Sequence, residues 1–412
     1  MRVLQFLCAL LLAFAGVVIS ACEQSVPAPS SMGSAPITVR EVESPAGRSS
    51  REPKLFAAAD GQLILSWLEK IAGNRYALRF STRSGNVWTE PRTVAEGSNW
   101  FVNWADFPSV IKLPDGALVA HWLVKSGSST YAYDVNIACS SDEGRTWESP
   151  VVPHRDGTQT EHGFVSLLSW TSGRAAAVWL DGRKFKSQEN ARLDGAQVIN
   201  AHHGHDSATN EMTLRFAAIG ADGKLSEEAE LDARVCDCCQ TAAVLTPEGA
   251  IVVYRNRSNE EVRDISIVRY RDGRWTEPQP VHRDGWQISG CPVNGPALAT
   301  EGRRVAVAWF TQAQERPQVK VIFSEDAGAT FGQPIEMASD STLGRVDVAM
   351  LADGSALVSW MEGTAQSAII KVRRVRPDGS CDEPFTIAET SAARTSGFPR
   401  MARIGEEVLA HV

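Results

Sequence analysis

The residues best equipped for chemistry stand in short stretches that follow no regular pattern. Arg255, Arg257, Glu261, Arg263 and Asp264 crowd into ten positions, with Asp181 and Arg183 before them and Asp284, Trp286 and Asn294 after. Trp104 and Arg345 lie further out along the chain. Guanidinium forks grip carboxylates through two parallel N–H donors, and indole faces stack on sugar rings. Asp181, Glu261, Asp264 and Asp284 are the carboxylates suited to a general acid or base. Arg183, Arg255, Arg257, Arg263, Arg345, Trp104, Trp286 and Asn294 are then the groups that would hold a glycan or another small polar, acidic ligand.

The thiols are the least ordinary feature. Cys236-Asp237-Cys238-Cys239-Gln240 forms one cluster, and Cys291 stands in a later stretch of similar character. Two readings stay open. In an exported protein these four form disulfides, with Cys291 stapling one loop to the other. Alternatively, four thiolates are enough ligands for a metal ion, although C-x-C-C is not the spacing of a usual zinc knuckle. The run His202-His203-Gly204-His205 is a further potential ligand set. Cys139 and Cys381 are expected to be unpaired. No other cofactor is implied.

These residues must be positioned by strands. A glycine followed by an apolar strand ending in an aromatic recurs at Gly61–Trp67, Gly116–Trp122, Gly173–Trp179, Gly249–Tyr254, Gly302–Trp309 and Gly354–Trp360, and again from Gly405 to His411. Another short apolar strand precedes each copy, and no helical periodicity competes after the leader. A second element, Ser140-Ser141-Asp142-Glu143-Gly144-Arg145-Thr146-Trp147, returns as Ser324-Glu325-Asp326-Ala327-Gly328-Ala329-Thr330-Phe331. Asp bonds amides ahead of it and Gly accepts positive φ, so both copies suit tight hairpin turns. Looser copies stand at Ser84–Trp88, Asp222–Lys224, Asp272–Trp275 and Asp378–Ser380.

The unit is therefore four antiparallel strands, repeated, and the fold is an all-β propeller. Seven first-and-second-strand pairs but six outer hairpins predict seven blades with an incomplete last one. The segment 36–42 would add an outer strand from the N-terminal side. Six blades is the alternative. Topology puts the short glycine and aspartate turns on one face and the long irregular loops on the other. The chemically equipped residues fall on the second face, joined by Trp100, Asn103, Asp106, His154, Asp156, Glu161, His162 and Arg394.

The Ser-x-Asp-x-Gly-x-Thr-aromatic element resembles the Asp-box, or BNR repeat, of the sialidase superfamily of β-propellers. That resemblance implies a glycoside hydrolase with three arginines on the substrate carboxylate, a tyrosine nucleophile activated by glutamate, and an aspartate acid/base. Arg183, Arg263 and Arg345 are available for the triad. The Arg-Ile-Pro motif that opens family members is absent. Of the five tyrosines, Tyr254 alone is expected near the mouth, where it also fits the strand-end aromatic position. A hydrolase acting on acidic glycans and a non-catalytic propeller binding glycan, protein or metal therefore both stand.

Met1 to Ala21 reads as an export signal, with an apolar run from Phe6 to Ile19. Ile19-Ser20-Ala21-Cys22 resembles a bacterial lipobox, which would make Cys22 the lipidated residue of a membrane-anchored lipoprotein on the periplasmic or cell-surface side. Residues 22–35 read as a flexible tether and 36–412 as a single propeller domain, expected to act as a monomer. A net charge of −8 argues against a nucleic-acid partner, and 43% hydrophobic residues with twelve Trp are ample for a core.

Overall fold

The computed structural model describes residues 37–185, 211–220 and 222–411. The expected export signal, Cys22, the whole expected tether 22–35 and the His202–His205 run lie outside the described residues.

Every regular element of length among the described residues is a strand. The first blade holds β1 (Ser50–Ala57), β2 (Leu63–Ala72) and β3 (Arg75–Ser84), with β4 (Val87–Trp88) and β5 (Arg92–Gly97) both paired to β3. The second holds β6 (Ser109–Lys112), β7 (Leu118–Lys125) and β8 (Tyr133–Ser140), whose outer edge bonds Val151 through Ile137. The third runs β9 (His162–Ser169), β10 (Ala175–Asp181), β11 (Met212–Ile219) and β12 (Leu225–Val235). In the fourth, β13 (Ala242–Thr246), β14 (Gly249–Arg255) and β15 (Ile265–Arg271) are flanked by short β16 (Arg274–Trp275) and β17 (Gln279–Pro280). The fifth contains β18 (Ala297–Glu301), β19 (Arg304–Thr311), β20 (Gln318–Ser324) and β21 (Ile335–Ser339). The sixth contains β22 (Thr342–Met350), β23 (Ala356–Gly363), β24 (Ala368–Val375) and β25 (Phe385–Thr390). All pairings within these sheets are antiparallel, as the repeat predicts.

The six-blade alternative therefore describes the full blades. β26 (Arg400–Ile404) and β27 (Glu407–His411) form a two-stranded hairpin, and β26 touches both β22 and β1. No third or fourth strand joins that hairpin among the described residues, and Ile37–Val42 form no strand at all. The expected outer strand from the N-terminal side is thus absent.

Blades bury both faces of their second strands against their neighbours. Such strands read as continuous apolar runs rather than alternations, which is why β2, β7, β10, β14, β19 and β23 stand out in the sequence. Trp67, Trp179, Trp309 and Trp360 end four of these runs and are among the largest fully buried side chains.

The two well-formed turns share one hydrogen-bond pattern. Asp142 Oδ1 accepts from Ser140 Oγ (2.9 Å) and the Thr146 amide (2.9 Å), and Oδ2 accepts from Thr146 Oγ1 (2.7 Å). Asp326 does the same with Ser324 Oγ (2.8 Å), the Thr330 amide (2.8 Å) and Thr330 Oγ1 (2.7 Å). Bonds from Thr146 hold the Asp142 pKa down at about 2. Gly144 has φ +79°, and a Cβ there would lie 2.4 Å from Phe80 Cζ in the preceding blade, so only glycine fits. Trp147 meets Phe80 edge-on at 6.1 Å, so this turn also locks one blade to the one before.

Candidate functional site

Three loops converge on the face opposite those turns: 236–241 after β12, 256–264 after β14, and 281–296 after β17. Backbone bonds tie them together. The Cys236 amide donates to Arg255 O (3.0 Å), Arg263 to Trp286 O (2.8 Å), and Ile288 to Glu261 O (3.0 Å). Asp264 accepts the Gly285 and Trp286 amides at 2.9 and 3.0 Å. Gly295 permits the closest approach. Its amide donates to Gln240 Oε1 at 3.0 Å, and a Cβ would lie 2.2 Å from Gln240 O.

The thiols gather where these loops meet, but not as disulfides. No disulfide joins any of the six described cysteines. Cys236 Sγ stands 3.8 Å from Cys238 Sγ and 3.5 Å from Cys239 Sγ, far beyond the ~2.05 Å of a disulfide. Cys238 also groups with Cys291 and Asp237, with ligand atoms within 4.8 Å of one another. The tight turn at 236–239 brings its three sulfurs together at similar separations, and Cys291 approaches Cys238 from the other loop. Three sulfurs thus gather around one point, and the fourth, of Cys291, comes within reach of Cys238.

Burial pushes the Cys236 thiol up to about 12 and the Cys238 thiol well above its usual range. Burial opposes ionisation of Cys239 too. There, hydrogen bonds from Cys236 and Cys238, the charge of Arg255 and the Asn294 amide outweigh it and hold Cys239 well below the usual thiol value. Arg263 Nη1 reaches Cys236 Sγ at 3.2 Å and Asp237 Oδ1 at 3.3 Å. The arginine and cysteine clusters, which look separate in sequence, are one site.

The expected carboxylate clamp is already engaged. Arg255 is buried, and its guanidinium donates to the carbonyls of Asn294 (2.7 Å), Arg263 (2.6 Å) and Phe310 (2.7 Å) while lying over Trp286. Arg345 likewise donates to Ser396 Oγ (2.6 Å), Gly397 O (2.8 Å) and Arg394 O (2.7 Å), and lies over Trp104 and Phe398. Glu261 is shared by Arg257 (2.7 Å) and Arg263 (2.8 Å). Asn294 Oδ1 accepts the Arg345 amide at 2.7 Å. Arg183 makes a two-pronged pair with Asp181, both contacts 2.7 Å. Asp264 spends both oxygens on amides. Asp284 departs from expectation: it is buried beside the fifth blade, accepting Trp309 Nε1 and Lys320 Nζ, each at 2.7 Å. These two hydrogen bonds tie its carboxylate to β19 and β20.

A second polar cluster forms around two imidazoles. The His154 and His162 rings stack at 3.7 Å with planes 1° apart. His154 Nε2 accepts the Val135 amide at 3.1 Å, and burial, followed by His162, pushes its pKa down to about 3, so the ring is neutral. His162 Nε2 lies 3.2 Å from Asp156 Oδ2, and Arg183 Nη2 lies 3.3 Å from the same oxygen. Asp134 faces the opposite edges of both rings.

Tyrosine placement also differs from expectation. Tyr254 donates to Asp232 Oδ2 (2.5 Å) as a buried strand-end aromatic. Tyr133 instead lies beneath the mouth, donating to Glu161 (3.0 Å) and approaching Asp106 (3.3 Å), and burial raises its pKa well above the usual value. Tyr131, two residues earlier, stays exposed and feels Glu161, Cys291 and Cys238. Tyr131 stands in the turn before β8 and Tyr133 opens that strand, so neither occupies the inner-strand end that marks the other aromatics in the sequence.

No family model and no curated protein sequence matches the chain. Solved structures do. A protein of unknown function from Dyadobacter fermentans aligns over 77% of this chain and 91% of its own at 15% identity, TM-score 0.48. A polysaccharide lyase of family PL25, an ulvan lyase, aligns over 85% and 81% at 11% identity, TM-score 0.47. The NanB sialidase of Streptococcus pneumoniae aligns over 90% of this chain and 65% of its own at 11% identity, TM-score 0.42. Similarity at this level assigns no activity, and the site has to be read from its own residues.

Proposed function

We propose that this chain is an exported, lipid-anchored β-propeller that binds a thiophilic metal ion, Zn²⁺ or Cu⁺, through Cys236, Cys238, Cys239 and Cys291. The observation that carries the reading is the sulfur spacing. With Zn–S bonds of ~2.3 Å, tetrahedral geometry puts ligand sulfurs about 3.8 Å apart. The separations of 3.5 and 3.8 Å around Cys236 match that edge. Four thiolates carry more negative charge than one such ion cancels, and Arg263 and Arg255 stand beside them to offset the excess. Export and anchoring rest on the apolar run Phe6–Ile19 and the sequence Ile19-Ser20-Ala21-Cys22.

A sialidase-type hydrolase is the weaker reading. It needs guanidinium groups free to take a substrate carboxylate, and Arg183, Arg263 and Arg345 are each bonded within the protein. A glycan ligand without catalysis keeps one supporting observation: Trp104 is only partly buried at the mouth, beneath Arg345 and Arg394.

Anaerobically purified full-length protein, titrated with Zn²⁺ or Cu⁺ against a chromophoric chelator, should take up one ion per chain. The double variant Cys239→Ser/Cys291→Ser should lose it. If alkylation and mass spectrometry instead find these four sulfurs oxidised in pairs, with no metal bound after reduction, the proposal fails and the cluster is a staple.

A further inference from the structure

The four sulfurs of the cysteine site are not equivalent. Cys236 and Cys239 are 1% and 2% exposed, with Arg263 Nη1 at 3.2 Å from the Cys236 sulfur and the Arg255 charge beside Cys239. Cys238 and Cys291 are only half-buried. The exposed Tyr131 stands beside both, and Arg394 Nη2 donates to Cys291 O at 3.2 Å. Solvent therefore reaches the site from one side, through a pair of thiols carried by two different loops.

That asymmetry selects which sulfurs can be oxidised. Thiol–disulfide exchange needs an attacking sulfur that a soluble disulfide can reach. Cys238 and Cys291 meet this condition, and the two sulfurs beneath them do not. The partners open to Cys238 are limited as well. Cys239 is adjacent to it through a trans peptide, so their Cα atoms stand ~3.8 Å apart, short of the ~4.4 Å that a disulfide needs. The Cys236 sulfur is 3.8 Å away but is held from below by Arg263. Cys291, whose sulfur lies within 4.8 Å of the Cys238 sulfur, comes from the facing loop with no short ring to close.

Resting on the metal reading above, we propose that the site is a redox switch: a low-molecular-weight disulfide joins Cys238 to Cys291, and the bound ion is released. Cys238 attacks one sulfur of the reagent and expels a thiolate, and Cys291 then attacks the Cys238 sulfur and expels the second. Two electrons pass from the protein thiolates to the reagent, whose two sulfurs leave and take protons from water. The ion departs with its charge unchanged. Both ligands are lost in one event, because metal binding requires thiolates and a disulfide sulfur is not one.

Full-length protein purified anaerobically and loaded with Zn²⁺ is titrated with oxidised glutathione. Released Zn²⁺ is read with a chromophoric chelator, and cross-links are mapped by differential alkylation and mass spectrometry. One ion should leave for each Cys238–Cys291 bond formed, and reduction should restore binding. Metal-free protein should form the same bond. A Cys236–Cys239 bond, a reaction that stops at the glutathione adduct, or Zn²⁺ retained on cross-linked protein overturns the switch and leaves the metal reading intact. Protein that takes up no Zn²⁺ before oxidation fails at the earlier step, which removes the ion the switch would release.

Discussion

Asp106→Asn should stabilise the protein at pH 8 and slightly destabilise it at pH 4. Asp106 is 3% exposed and its folded pKa stands at about 7, against 3.8 for the free side chain, with burial as the cause. The sign follows from proton counting. Between pH 4 and 7 the folded state keeps a proton that the unfolded state has released, so stability from this group is full below pH 4 and falls as pH rises. At ~1.4 kcal/mol per unit, a shift of about three units costs at most about 4 kcal/mol above pH 7. Asparagine removes that cost. Its carbonyl oxygen still accepts the Phe164 amide, but its amide nitrogen meets the Tyr133 hydroxyl, at a loss of about 1 kcal/mol. The expected net gain is about 3 kcal/mol at pH 8, with a loss of about 1 kcal/mol at pH 4, where both proteins are neutral at this position. Urea unfolding at the two pH values measures both. A variant equally destabilised at pH 4 and pH 8 would show that Asp106 is ionised in the fold and that its hydrogen bonds outweigh its burial.

Two further changes probe the loops. Arg255→Ala leaves the carbonyls of Asn294, Arg263 and Phe310 buried without a donor, and should cost about 3–5 kcal/mol in urea unfolding. A loss under 1 kcal/mol would mean that water replaces the guanidinium. Gly295→Ala drives a methyl group into Gln240 O, which separates the Cys236–Cys239 turn from the loop bearing Cys291. Metal affinity should fall roughly 10–100-fold while the circular dichroism of the sheets is unchanged. Unaltered affinity would show that Cys291 is not a ligand.

The fold was legible because its signals are local. Ser140, Asp142 and Thr146 make every bond of their turn within eight residues, and strands buried on both faces read as unbroken apolar runs. The blade count was less legible, because closure depends on which strands meet across the ring. β26 touches β1 and β22, a contact that no spacing within Arg400–His411 reveals. The site was legible by loop but not by role. Arg255 spends its donors on residues up to 55 positions away, and Arg345 on residues up to 52 positions away. A guanidinium that grips backbone has the same sequence signature as one that grips a ligand.

That ambiguity has a physical resolution at Arg255. Its hydrogen bonds go only to neutral carbonyls, so they orient the guanidinium without cancelling its charge. The anion that responds to that charge is Cys239, whose thiol it helps hold in the ionised form. Arg263 divides itself between Glu261, Asp237 and Cys236, and so ties the same positive field to the neighbouring sulfur. Arginines gathered on one loop do announce an anion. Here the group that answers the positive charge is the Cys239 thiol of the protein itself, so an apparent substrate clamp serves as electrostatic support for the cysteine turn proposed above as a metal site.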